Sequence, residues 1–210
     1  MAYSYPLTLP TVTGIRGITL RATNVVGMSQ SPFTLKQQIV SHAGQQWEAE
    51  ITLPPMTRDE GEEWVSFLVK LKGMKGTFLL GDPSAATPRG SASSNAGTPL
   101  VNGSGQTGDS LTIDGCPAST TGYLKAGDYI QLGNSASATL HKVLNDSNVN
   151  GDGQTTLDIF PSIRTAPADN AAVTVTNAVG RFRLSTNQTN WSVNEVTHFG
   201  IAFAAVEVVI

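Results

Sequence analysis

Cysteine is almost absent from this chain. Cys116 is the only one among 210 residues. That excludes an internal disulfide and any metal site built on several thiolates. Beside Pro117 it reads as a small half-buried residue. Charge is also scarce: only 14% of residues are Asp, Glu, Lys or Arg, against roughly 25% in ordinary globular domains. The polar surface must therefore come largely from Ser, Thr, Asn, Gln and Gly. Such a profile suits turn-rich β chains and surfaces covered by neighbours. No run of Lys or Arg interleaves with aromatics, and the formal net charge is −3, so sequence-specific nucleic-acid binding is not expected. Met1–Pro10 has neither a basic nor a continuous apolar region, and so does not read as a secretory signal. The most apolar stretch, residues 199–210, is too short to span a bilayer and carries Glu207. A soluble protein made in the cytoplasm, without membrane insertion, is the expectation.

What is present changes character along the chain. Residues 84–178 hold no Glu, Trp or Met, yet 11 of the 21 Gly. Their four basic residues (Arg89, Lys125, Lys142, Arg164) face seven Asp, which accounts for the whole net charge; the flanks carry nine of each sign. Gly81-Asp82-Pro83 reads as a turn, and Ser84–Gly108 as a loop or linker. The far boundary falls near 177–180. The reading is an outer domain made of residues 1–83 and 179–210, with residues 84–178 inserted as a second domain.

In the outer part, Ile18, Leu20 and Ala22 alternate with Thr19, Arg21 and Thr23. Phe33, Leu35, Gln37 and Ile39 alternate more weakly. Trp47, Ala49, Ile51 and Leu53 against Gln46, Glu48, Glu50 and Thr52 give the cleanest period of two. One helix is expected over 58–72. Thr57 and Glu60 form a capping box. Asp59, Glu60, Glu62 and Glu63 open the helix and Lys70 and Lys72 close it, opposing the dipole. Trp64, Phe67, Leu68 and Leu71 make one apolar stripe, and Gly73 stops it. Strands follow at 77–80, 181–185 and 201–209. The middle segment reads as five short strands, at 110–113, 129–132, 139–144, 156–160 and 173–176, with Asp114-Gly115, Asn150-Gly151 and Asp152-Gly153 as turns. The fold class is mainly β: an outer β-sandwich or barrel with one α-helix, plus a small all-β barrel, OB-like or sandwich.

Several motifs look like chemistry. Gly103-Ser104-Gly105-Gln106-Thr107-Gly108 matches GxGxxG, but a strand rather than a helix follows, so no helix N-terminus meets a pyrophosphate. Asp146, Asn148, Asn150 and Gly151 match the first half of a Ca²⁺ loop, yet position twelve is Leu157 and helices are missing on both sides. The hairpin-loop reading competes with a weak cation site there. His141 lies on a strand with no nucleophile motif nearby. The sequons at Asn102, Asn145, Asn187 and Asn190 mean nothing without secretion. No catalytic, cofactor-binding or metal-ligating residue is assigned, and the chain is not read as an enzyme.

The run Trp47-Glu48-Ala49-Glu50-Ile51-Thr52-Leu53-Pro54-Pro55-Met56-Thr57, then Glu60, Trp64, Phe67-Leu68 and Leu71-Lys72-Gly73, then Gly76-Thr77-Phe78-Leu79-Leu80-Gly81-Asp82-Pro83, resembles tail proteins of long-tailed bacteriophages. Residues 127–132 and 159–164 look like the same group. The nearest resemblance is to the distal tail protein family. It implies a hexameric ring at the tail tip, joining the tail tube protein to the baseplate hub protein and leaving a lumen for DNA. It also implies an outward-facing inserted domain that in some relatives carries receptor-binding protein or binds carbohydrate. Alternatives are another tube or tail-completion subunit, a carbohydrate- or receptor-binding module using Tyr123, Tyr129 and Phe160, and an envelope hydrolase.

Overall fold

The computed structural model describes residues 3–194 and 198–209. Met1, Ala2 and Ile210, which the sequence reading places in the outer domain, lie outside them, as do residues 195–197. Among the described residues the chain is mainly β, 40% strand and 12% helical, with one α-helix and a nearly closed β-barrel sheet. No helix among the described residues is long and apolar enough to cross a membrane.

Two six-stranded sheets carry the fold. The first contains β1 (Gly17–Gln30), β2 (Gln37–Thr52), β3 (Phe78–Leu80), β10 (Gly180–Leu184), β11 (Trp191–Val193) and β12 (Phe199–Glu207). Its order is β1-β2-β12-β10-β3, with β11 added to β12. The alternation at 46–53 is realised in β2: Trp47, Ala49, Ile51 and Leu53 are buried, while Glu50 and Thr52 are exposed. β2 is central here because β1 pairs along one edge and β12 along the other, the latter only from Thr52 to Glu48.

Helix α1 (Arg58–Lys70) lies against this sheet. The Glu60 carboxylate accepts from the Thr57 backbone N–H at 3.1 Å and its hydroxyl at 2.9 Å. These contacts hold the Glu60 carboxyl below its ordinary range. The helix is two residues shorter than its charge pattern suggests, because Lys72 already adopts a left-handed φ of 53°. Its stripe is core: Trp64 is 1% exposed and packs at ring distances of 5.9 Å on Phe67 and 6.2 Å on Phe203. Phe67 in turn meets Phe78 edge-on at 5.7 Å. Each such aromatic contributes roughly 2 kcal/mol by burial.

The second sheet takes β4 (Leu100–Val101), β5 (Gly108–Asp114), β6 (Tyr129–Leu132), β7 (Thr139–Val143), β8 (Thr155–Ile163) and β9 (Val173–Thr174), in the order β4-β5-β8-β7-β6-β9. Its ends meet where Val101 N–H donates to Ala171 O at 2.9 Å and Val173 N–H to Pro99 O at 3.0 Å. Six strands stand where five were expected. The extra one, Leu100–Val101, is too short to show periodicity. Ser84–Gly108 is also more than a linker: it contains 3-10 turns at Pro83–Ala85 and Ser91–Ser93 and buries Ala92. The buried Asp128 carboxylate pins it, accepting from the N–H groups of Arg89 at 2.9 Å and Gly90 at 3.3 Å and from that of Lys125 at 2.8 Å. No local sequence pattern announces a contact across 39 positions.

Candidate assembly interface

The two sheets are joined at the root of the β1–β2 hairpin. Trp47 Nε1–H donates to Leu140 O at 3.0 Å, and the Trp47 ring meets Phe160 edge-on at 5.1 Å. The Gln45 side-chain oxygen accepts from Ser162 N–H and its hydroxyl, both at 2.7 Å, and the Arg164 guanidinium donates to the Gln45 carbonyl. Arg164 also lies 3.9 Å from the buried Glu207 carboxylate, which accepts from Trp47 N–H at 3.0 Å. Burial pushes the Glu207 carboxyl up, while the Trp47 N–H and Arg164 pull it down.

Beyond Gln45 this support stops. Among the described residues, 37–44 of β2 pair only with β1. They extend about 27 Å at strand rise. The register slips between Asn24 and Val26, where Asn24 faces Gln45 but Val26 already faces Ser41. Such a bulge bends the ribbon and re-aims its tip. The distal ribbon puts Val26, Met28 and Ile39 on one face, with Met28 directly opposite Ile39. All three are exposed, as are Val25 and Val40. At the tip, Ser31 N–H donates to Lys36 O and Leu35 N–H to Ser31 O, both at 3.0 Å. Phe33 there is 94% exposed and Leu35 68%.

A two-stranded ribbon is at best marginally stable alone. Its outer edges carry unpaired backbone groups. Contiguous exposed apolar residues mark interaction sites, and burying each large one contributes about 1.5–3 kcal/mol. The arrangement therefore suits docking onto another polypeptide. The sequence reading took Phe33 and Leu35 as strand residues; they form the turn. A usable signal was present: between Arg21 and Glu48 the only formally charged residue is Lys36.

The residues weighed for chemistry fall elsewhere and do not converge. Gly103, Gly105 and Gly108 all take positive φ in an open loop that leads into β5. The oxygens of the Ca²⁺-like loop are turned to backbone donors: Asp146 accepts from Ala126 N–H, Asn148 from Gly122 N–H, and Asn150 from Asp152 and Gln154 N–H. Among the described residues no group of three or more His, Cys, Asp or Glu is placed to hold a metal ion. Cys116 is buried, which pushes its thiol up.

His141 lies in the wall of a cavity of about 440 Å³ beside the second sheet, together with Arg164 and Val208. It is 3% exposed. Its Nδ1 lies 2.7 Å from Pro161 O and its Nε2 2.9 Å from the Thr139 hydroxyl. The Nδ1–H tautomer satisfies both, since a carbonyl can only accept. Burial lowers its pKa to about 4, against a smaller opposing effect of the Pro161 carbonyl. A neutral imidazole with both nitrogens engaged has no lone pair or proton left for substrate. Tyr123 is fully buried with its hydroxyl on Ala96 O at 2.7 Å. Tyr129 is buried beneath the Lys142 ammonium, 4.5 Å from its ring. Tyr123 and Tyr129 therefore offer no open stacking surface for a sugar, and Phe160 is half-buried against Trp47. No family model matches the chain, and no curated protein matches it.

Proposed function

We propose that this chain is a structural subunit of the tail tip of a long-tailed bacteriophage, of the distal tail protein type. It would assemble with copies of itself into a ring, hexameric by the resemblance, between tail tube and baseplate hub, with a lumen for DNA. In this reading residues 1–83 and 179–210 form the ring and the 84–178 segment, an OB-like or sandwich barrel, faces outward. The protein would be made in the host cytoplasm and reside in the virion.

The observation that carries the reading is the β1–β2 arm. It presents Phe33, Leu35, Met28 and Ile39 to solvent while the rest of the large apolar side chains are mostly interior. The motif run at 47–83 supplies the family. The low charge of the arm supports burial against protein, since few ions would need desolvation. A contact made by an arm on one copy and a different surface on the next is heterologous, and generates a ring when the rotation closes.

The test is solution mass together with negative-stain electron microscopy of the purified chain. A closed ring with an open centre is the expected result. Filaments would favour a tail-tube subunit. A chain that stays monomeric at high micromolar concentration would refute self-assembly, and a glycan-array signal from that monomer would favour a carbohydrate-binding module.

A further inference from the structure

Resting on that assembly reading, we infer that the tip of the arm, Phe33 to Lys36, docks into an acid-rimmed groove along helix α1 of a second copy. Phe33 at 94% exposure is not seated within its own chain. A groove of about 690 Å³ runs between the N-terminal segment and α1. Leu7, Leu9 and Phe67 contribute its apolar surface. Asp59, Glu62 and Glu63 line it against a single Lys70, leaving it formally negative. Positions 59, 62, 63, 66, 67 and 70 form one continuous helical stripe, about 16 Å long at 1.5 Å per residue.

Charge and size select this groove for the tip. Lys36 is the only formal charge between Arg21 and Glu48, and the groove is acidic. Phe33 and Lys36 are three residues apart, so they span at most about 10 Å and fit together within the stripe. Phe33 would meet the apolar surface while Lys36 reaches Glu62 or Glu63. The cavity lined by His141 and Arg164 is a worse acceptor. It is lined by Arg164 and by no carboxylate, so Lys36 would meet like charge there. Tip and groove are different surfaces, so one contact repeated from copy to copy propagates around a ring.

The full-length double variant Leu35→Cys/Ser66→Cys tests the contact directly. Both positions are exposed, and Cys116 is buried, so mild oxidation reports the introduced pair. A ladder of covalent oligomers ending at the ring's own mass is expected. Lys36→Glu should weaken association about tenfold, and Lys36→Glu combined with Glu62→Lys and Glu63→Lys should restore it. Phe33→Ala should weaken it roughly 10- to 100-fold. Full rings that give no crosslink and ignore the charge reversals would overturn this docking mode while leaving ring assembly standing. A chain that remains monomeric in every variant and in the wild type would overturn both.

Discussion

Acidification should destabilise this protein through His141. The folded chain holds His141 neutral with a pKa of about 4, against an ordinary 6.5. Between those values the unfolded chain binds a proton that the native chain refuses. Stability therefore falls as pH drops from 6.5 toward 4, and it is fully present above 6.5. The separation corresponds to about 3 kcal/mol, of which about 2 kcal/mol is lost by pH 4.5. Burial is the main cause, and the nearby Arg164 charge adds to it. Glu207 acts in the opposite direction. Its carboxyl is raised, so its contribution grows as pH falls through its folded pKa toward 4.5. The isolating comparison is wild type against His141→Asn, whose side-chain amide can still donate to Pro161 O. Urea denaturation at pH 7, 5.5 and 4.5 should show wild type losing about 2 kcal/mol more than the variant over that range. Equal losses would refute the assignment of a buried, neutral imidazole.

Three further outcomes follow from the packing. Gly61→Ala lies in a helix, where the exchange alone would stabilise by about 1 kcal/mol; here the new Cβ would sit 2.4 Å from Phe199 Cγ, so thermal melts should show a net loss of about 1–3 kcal/mol. Trp64→Ala should cost about 3–5 kcal/mol in chemical denaturation, because the ring is enclosed between α1 and the first sheet. Replacing residues 26–41 with an Asn-Gly turn should abolish assembly in mass measurements while changing unfolding free energy by less than about 1 kcal/mol, since nearly all of these residues are exposed.

Local chemistry was enough for the elements whose signals are local. The helix was legible because its cap, its charge gradient and its apolar stripe lie within sixteen consecutive residues. The strand at 46–53 was legible because a half-buried strand must alternate. The Asp146–Asn150 loop was legible as a hairpin connection between β7 and β8, since β8 alternates and Asn150-Gly151 and Asp152-Gly153 mark turns before it. Other features depend on partners distant in sequence. The order of Ser84–Gly108 comes from the Asp128 carboxylate, the burial of His141 from the meeting of β7 with the end of β8, and the intolerance at Gly61 from Phe199. Joining the two ends of the second sheet needs Pro99–Val101 to find Ala171–Val173, which no window of the sequence contains. The arm shows the limit most plainly. Apolar residues at 25–40 carry the same hydropathy as core residues, and composition cannot say what covers them. Only the tertiary structure shows β12 ending its pairing at Glu48 and the ribbon continuing without support, because burial belongs to the whole fold rather than to the side chain.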